Sequence, residues 1–208
     1  MNKAVAGILI AITVLIFTTA LGLAVIHTTD FPYVLDIDLL HIGETAKLSR
    51  GEMLLNYNAM LNYLSPFSNK PFSLPTLGYT EVASSHFADC KVIFNIVYLL
   101  GLISGIILAF LAFNRSVSKR ILRISGTVTL AIPAVIGAAM FTNFDWAFNL
   151  FHSVLFADAT WLFDPKLDEI INILPSAFFM HCGIFIALFW VGGAALQLSI
   201  GYSKRKYH

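Results

Sequence analysis

Two histidines stand in sequence contexts that could support acid–base chemistry. Asp89 follows His86 by three residues, a spacing that places both side chains on one face of a helix. Histidine titrates near about pH 6.5 when unperturbed, so it can accept or release a proton at neutral pH. Asp89 could orient the imidazole of His86 or raise its basicity, as the acid does in a catalytic triad. His152 lies one helical turn from both Phe148 and Phe156.

Other kinds of catalytic site have weaker support. Ser84, Ser85 and Cys90 are candidate nucleophiles only because they are close to His86 in the sequence. The chain has neither the His-Glu-x-x-His pattern of zinc proteases nor the Gly-x-Ser-x-Gly elbow of many hydrolases. We therefore expect no metal and no cofactor. We expect the isolated histidines at 27, 41 and 181 to be interfacial side chains satisfied by water or a carbonyl.

The elements that must position these residues are membrane helices. The 208 residues are 58% hydrophobic and 12% charged, whereas soluble proteins average about 45–50% and about 25%. A helix that crosses a bilayer needs roughly 20 mostly apolar residues. Four uncharged stretches are about that long, namely 4–26, 92–113, 124–141 and 177–200. A net charge of +1 argues against nucleic acid as a partner. The first stretch could be a cleaved signal peptide, but its length favours a retained helix.

The few charged residues are distributed asymmetrically about these spans. The segments before span 1, between spans 2 and 3, and after span 4 hold eight of the 13 basic residues and no acid. The segments 27–91 and 142–176 hold all 12 acids. By the positive-inside rule, both termini, the loop 114–123 and the tail 201–208 are cytoplasmic. We therefore expect one integral membrane domain over 1–208, with an extracytoplasmic cap built from 27–91 and 142–176.

The two outer segments should contain short helices. Ser49 and Glu52 form a capping-box pattern before a stretch with helical apolar spacing, and Pro66 follows its end. The aromatic stretch 143–156 is typical of an amphipathic helix. Asp164 and Pro165 indicate the start of another helix, which Pro175 ends. An aromatic, apolar cap of this kind suits an acyl chain better than a sugar or an ion.

Several short motifs occur in an order that carries a family resemblance. They are Glu81, His86-x-x-Asp89-x-Lys91, Phe151-His152, Trp161-Leu162-Phe163-Asp164-Pro165-x-x-Asp168 and Leu174-Pro175-x-x-Phe178-Phe179. Together they resemble the lipoprotein intramolecular transacylases, integral membrane proteins of Gram-positive bacteria, over essentially the whole chain. One departure is Cys90, where we would expect a small aliphatic residue; it leaves a thiol near the candidate site.

The resemblance implies both a fold and an activity. The fold is all-α, with four transmembrane helices beneath an extracellular cap and two catalytic histidines where the cap meets the membrane. The activity moves the sn-2 acyl chain of a diacylglyceryl lipoprotein to the α-amino group of its N-terminal cysteine, which leaves a lyso-form lipoprotein. Carried over by motif, the catalytic residues are His86, oriented by Asp89 as the principal base, and His152 as its acid or orienting partner. The candidate substrate-binding residues are Lys91, Trp146, Phe148, Asn149, Phe151 and Trp161.

This interpretation places a multi-pass enzyme in the cell membrane, with its active site at the outer-leaflet surface and with lipoprotein and membrane lipid as partners. The sequence does not determine the oligomeric state, and a monomer would suffice. Two alternatives stay open. One is a lipid hydrolase or ping-pong acyltransferase with Ser85 or Cys90 as nucleophile. The other is a non-enzymatic four-span scaffold whose cap binds a protein partner.

Overall fold

The computed structural model describes residues 2–156 and 158–203. Within those residues the secondary structure is entirely helical, as predicted, and no strand is present. The helices are α1 Lys3–Thr28, α2 Tyr33–Leu39, α3 Ile42–Ala46, α4 Arg50–Leu64, α5 Glu81–Phe113, α6 Lys119–Thr142, α7 Phe144–Leu155, α8 Ile170–Ile173 and α9 Ser176–Tyr202.

Four of these helices, α1, α5, α6 and α9, are long and apolar enough to cross a membrane. Each contains one of the predicted spans and extends it at one or both ends. The extension is largest in α5, whose 33 residues measure about 50 Å at 1.5 Å per residue. The prediction of four spans is therefore confirmed. The basic tail residues Lys204, Arg205 and Lys206 lie outside the described residues.

Contacts between residues group the chain into two compact units. The single membrane domain over 1–208 therefore stays a prediction. The first unit comprises the described parts of 1–23, 97–139 and 184–208. Its helices approach closely at glycines, because a residue without a side chain lets two helix backbones come together. A Cβ on Gly101 would overlap the Cβ of Ala20, and one on Gly105 would lie 2.9 Å from the ring of Phe17. In the same unit, Trp190 Nε1 donates a hydrogen bond to Thr19 Oγ1.

The second unit comprises 24–96 and 140–183, and it holds every candidate site residue. Its core is aromatic: the rings of Tyr33 and Tyr57 stack with centroids 4.0 Å apart, and the edge of Phe178 packs on both. Helix α4 begins at Ser49, whose hydroxyl accepts from the backbone N–H of Glu52 while the Glu52 carboxylate accepts from the backbone N–H of Ser49. This reciprocal capping box was predicted and is confirmed.

The prediction was wrong for the segment that follows Asp164. Residues 165–167 form a turn, and the only helix before Pro175 is the four-residue α8. Asp164 does not cap a helix; its carboxylate accepts from the backbone N–H of Lys166 in a local turn. Acidic side chains later in this segment bind another part of the chain, and Glu169 accepts from the backbone N–H of Gly78. Helices α2 and α3 were not predicted.

Candidate active site

His86 lies in the second turn of α5, and the start of that helix is held by the loop that precedes α8. Thr80 precedes α5, and its hydroxyl accepts from the backbone N–H of Ala83. Asp168 in turn accepts from both the backbone N–H and the hydroxyl of Thr80, each at 2.8 Å. Asp168 is 4% exposed, so water competes little for its carboxylate. The sequence placed Asp168 in a family motif, but its contact joins residues far apart in the chain and could not be predicted.

The ring of His86 is buried among aromatic side chains. Only 7% of the residue is exposed. The ring centroids of Phe156 and Phe163 lie 4.6 Å and 5.4 Å from the centroid of the imidazole. Its Nε2 lies 3.4 Å from the sulfur of Cys90, one helical turn later. Its Nδ1 is buried and has no hydrogen-bond partner among the described residues. Buried polar atoms without a partner are uncommon in native proteins, and catalytic side chains are among the groups that retain them.

His152 lies near the end of α7, which was predicted at 143–156 and is observed with Asn143 as its N-cap. The Nδ1 of His152 lies 2.8 Å from the backbone carbonyl oxygen of Phe148. A carbonyl oxygen only accepts hydrogen bonds, so Nδ1 carries the proton of the neutral ring, and Nε2 presents a lone pair. Burial lowers the pKa of His152, and the hydrogen bond to Phe148 offsets part of that shift. The side chain is therefore a neutral proton acceptor at neutral pH.

The two histidines belong to one cluster. Their ring centroids are 6.0 Å apart, and Phe156 contacts both rings. Trp161 packs 4.9 Å from His152 on another side. The aromatic rings lower the local dielectric on the sides of the imidazoles that they cover, and this strengthens the electrostatic interactions made there. The arrangement can accept one proton at His152 Nε2 and hold a polar substrate group between the rings.

The expected hydrogen bond between Asp89 and His86 is absent. Asp89 is exposed and contacts neither nitrogen of His86. Nε2 of that ring lies next to the sulfur of Cys90, and Nδ1 has no hydrogen-bond partner among the described residues. Residues three and four positions along a helix both neighbour the first, and here the ring turns toward the fourth. Asp89 therefore does not orient His86 in this structure.

Lys91 is also placed differently from the expectation. Its ammonium donates to the backbone carbonyl of Ser68 at 2.6 Å and lies 4.6 Å from the ring centroid of Tyr63. At about 100° per residue, Lys91 is about 140° around α5 from His86. The side chain holds the segment that follows α4 and does not approach the histidines from that face.

The other predicted substrate-binding residues lie on α7, except for Trp161. The ring centroids of Phe148 and Phe151 lie 4.1 Å and 5.4 Å from that of His152. Trp146, Asn149 and Trp161 line an open groove of about 440 Å³. Trp161 belongs to both sets, so it joins the groove to the histidine cluster. The remaining lining residues, Leu150, Ser153 and Leu162, were not predicted.

The three histidines that the sequence left as structural all have partners, but only His27 contacts the expected carbonyl, whereas the other two contact carboxylates. The Nε2 of His27 lies 2.6 Å from the carbonyl oxygen of Leu61. Exposed His41 pairs with Glu44, and His181 pairs with buried Asp36. Each of these contacts holds its imidazole to a neighbouring part of the second unit. The two cysteines, at positions 90 and 182, are both free thiols.

The fold and the site together define a class: a multi-pass, all-α membrane protein with two neighbouring histidines, one buried and one half-buried, in an aromatic cluster. The family model for the lipoprotein intramolecular transacylase Lit matches residues 6–179. The chain belongs to that family, and it is by that membership an acyltransferase.

Solved structures agree with this assignment. The membrane-integral lipoprotein intramolecular transacylase Lit from Bacillus cereus is 30% identical, with a TM-score of 0.80 over 95% of this chain and 93% of that one. Two forms of the same enzyme with one histidine replaced, by arginine or by alanine, give TM-scores of 0.74 and 0.73 at 29% and 28% identity. They cover 96% of this chain and 90% and 91% of theirs. An uncharacterized protein of Aquifex aeolicus is 31% identical over 83 residues, which span 40% of this chain and 38% of that protein.

Proposed function

We propose that this enzyme moves the sn-2 acyl chain of a diacylglyceryl lipoprotein to the α-amino group of the lipoprotein's own N-terminal cysteine. The observation that carries the proposal is the pair of imidazoles 6.0 Å apart, His86 buried and His152 half-buried, of which His152 presents a free lone pair. Such a pair can move a proton between two substrate atoms. Because the amine and the ester are on one molecule, the reaction needs no enzyme nucleophile.

In this mechanism His152 carries the proton. The amine of the substrate titrates at about 7.7–8.0, so a neutral imidazole is a suitable base for it. The amine nitrogen attacks the ester carbonyl carbon, and its surplus proton passes to Nε2 of His152. As the carbon–oxygen bond to glycerol breaks, the same proton passes to the glyceryl oxygen. An amide bond replaces an ester bond, and no water is consumed.

His86 has a different role from the one the sequence suggested. The sequence favoured His86 as base because Asp89 could support it, but Asp89 makes no hydrogen bond to the ring. The carbonyl contact of His152 supports the opposite assignment. His86 then acts as the polar group that binds the ester as negative charge develops on its carbonyl oxygen. A single donor of this kind contributes about 10²–10³ to kcat.

The aromatic surroundings supply positioning. The amine and the ester of one flexible lipid must be folded against each other before they react. Phe148, Phe151 and Trp161 contact His152 and form walls against which acyl chains can pack. Holding two groups in a reactive geometry gives effective molarities that reach roughly 10⁵–10⁸ M.

The experiment is mass spectrometry of one purified diacylated lipoprotein before and after incubation with the enzyme. The expected product has unchanged mass, and fragmentation places one acyl chain on nitrogen. We expect His86→Ala and His152→Ala to slow its formation by about 10²–10⁴-fold, whereas His41→Ala, at an exposed histidine, should not. Loss of one acyl mass would instead indicate a hydrolase, and an acyl group found on Ser85 or Cys90 would indicate a ping-pong mechanism.

We further propose that both termini are cytoplasmic and that the histidines work at the outer surface of the membrane, on the strength of the charge asymmetry. The test is labelling of intact cells with a membrane-impermeant maleimide. A Phe67→Cys variant, at a 93% exposed residue, should be labelled, and Ser116→Cys, in the basic loop, should not. The unaltered chain measures background labelling of its own two cysteines. The reverse pattern would contradict the orientation.

A further inference from the structure

Cys90 makes the only hydrogen-bond contact that the described residues give to the ring of His86. Its sulfur lies 3.4 Å from Nε2, a distance within the range of hydrogen bonds to sulfur. The two residues are four positions apart on α5, so the helix itself fixes their approach. Phe156 and Phe163 cover other sides of the ring, and Nδ1 is buried without a partner.

We propose that Cys90 is a positioning residue that sets the tautomer of His86: its thiol donates to Nε2, and the ring proton is thereby held on Nδ1. The inference rests on the function proposed above and deepens it, because it names the atom of His86 that meets the substrate. The sequence carried no sign of this role; Cys90 stood out there as a candidate nucleophile close to His86 and as a departure from the family pattern.

The chemistry of the two atoms favours this direction of donation. A neutral imidazole has one nitrogen that donates and one that accepts, and its acceptor nitrogen is a strong one. A thiol is a weak donor and its sulfur a weak acceptor. An S–H group directed at the imidazole lone pair therefore makes a better bond than an imidazole N–H directed at sulfur.

The unpartnered Nδ1 is consistent with the same arrangement. With Nε2 occupied, Nδ1–H is a buried donor that no group of the described chain satisfies. Buried donors without acceptors are costly, and they persist where a ligand supplies the acceptor. In the proposed reaction that acceptor is the ester carbonyl oxygen, which becomes negative in the tetrahedral intermediate.

The two histidines are then complementary. His152 has its proton on Nδ1, bound to the Phe148 carbonyl, and presents Nε2 as base. His86 has its proton on Nδ1, where it can donate to the substrate, because the Cys90 thiol donates to Nε2. The proton that leaves the amine travels only through His152, so His86 stays neutral throughout and never loses its proton. The site contains one base and one donor at a centroid distance of 6.0 Å.

The test is a ¹⁵N NMR spectrum of histidine-labelled protein in lipid nanodiscs, with the signals of His86 identified by their absence in His86→Ala. We expect the wild-type chain to carry the His86 proton on Nδ1. Cys90→Ser, which keeps a donor in place, should do the same, and Cys90→Ala should populate both tautomers. Cys182→Ala, at the other half-buried thiol, should leave the His86 signals unchanged.

Kinetics supply a second readout. Cys90→Ala should lower kcat by about three- to tenfold with KM unchanged, which is the fold-change that the net worth of one hydrogen bond gives. Cys90→Ser should restore most of the rate. A wild-type proton on Nε2, or a Cys90→Ala spectrum identical to wild type, would overturn the proposal. If the protein formed no N-acylated product, the proposed function would fail, yet the spectrum would still decide the tautomer.

Discussion

The imidazole of His152 on α7 lies 6.0 Å from that of His86 on α5, with an angle of 31° between the ring planes. The two residues belong to different helices, and each is held by a residue four positions away on its own helix. His152 contacts the carbonyl of Phe148, and His86 contacts the sulfur of Cys90. Each helix therefore fixes its own imidazole, and the packing of α5 with α7 sets the distance between them.

The pH dependence of kcat/KM should reveal the lowered pKa of His152. In the proposed mechanism both the substrate amine and His152 must be unprotonated, so below about pH 7.7 the rate should fall tenfold per pH unit as the amine protonates. Burial lowers the pKa of His152 from 6.5, so its neutral form persists until the pH falls below that value. The slope should then double at a pH below 6.5.

The measurement is the initial rate of N-acyl product formation between pH 5 and pH 8, at substrate concentrations below KM. The residual activity of His152→Ala should keep a slope of one throughout the range. A second break at or above pH 6.5 in the wild-type profile would contradict the burial of this base.

Trp161 should contribute to both the groove and the site. Trp161→Ala removes the wall that contacts His152 and one side of the groove, so kcat/KM should fall by about tenfold or more, because positioning is lost. Trp161→Phe keeps an aromatic surface and should lose less. Phe67→Ala removes an exposed ring from elsewhere in the second unit and should have no effect. Equal losses for all three variants would show that Trp161 acts only through the general stability of the fold.

The buried pair between Asp36 and His181 should stabilise the fold. Asp36 is 2% exposed, and its Oδ1 accepts from His181 Nδ1 at 2.7 Å. Removing His181 would leave the Asp36 carboxylate buried without its partner, and a loss of this kind costs about 3–5 kcal/mol, so His181→Ala should lower the free energy of unfolding by roughly that amount. Thermal unfolding in detergent, followed by tryptophan fluorescence, would measure the decrease.

A control pair involves Asp38, which lies on α2 with Asp36. Asp38 pairs with Arg50 at 2.7 Å, but its side chain is 76% exposed. Exposed pairs contribute about 0–1 kcal/mol, so Asp38→Ala should change Tm little. Similar shifts in Tm for the two variants would refute the distinction between the buried and the exposed pair.

Two glycines on membrane helices should respond to alanine in opposite ways. Gly192 has open space where a Cβ would stand, so Gly192→Ala should stabilise α9 by up to about 1 kcal/mol through helix propensity. Gly101→Ala would force a methyl group into the Cβ of Ala20, and overpacking of this kind costs about 1–3 kcal/mol. Tm values of the two variants in one detergent would check the sign. Stabilisation by Gly101→Ala would show that α1 and α5 can separate without cost.

The sequence determined the parts of the structure that depend on local composition. The four spans follow from runs of uncharged apolar residues, and α4 follows from the reciprocal caps of Ser49 and Glu52. The histidines themselves could be selected because few residue types exchange protons at neutral pH. These features are encoded within a few turns of helix, where spacing along the chain equals proximity in space.

Only the tertiary structure decided which side chains those residues meet. Asp89 and Cys90 were both close enough in sequence to contact His86, and the packing of its ring beside Phe156 turned it to Cys90. The helix predicted after Asp164 gave way to a turn, because acidic residues of that segment bind backbone groups near residues 78–80. Full burial of one large apolar side chain contributes about 1.5–3 kcal/mol, more than a typical local cap, so tertiary packing sets the geometry of the site.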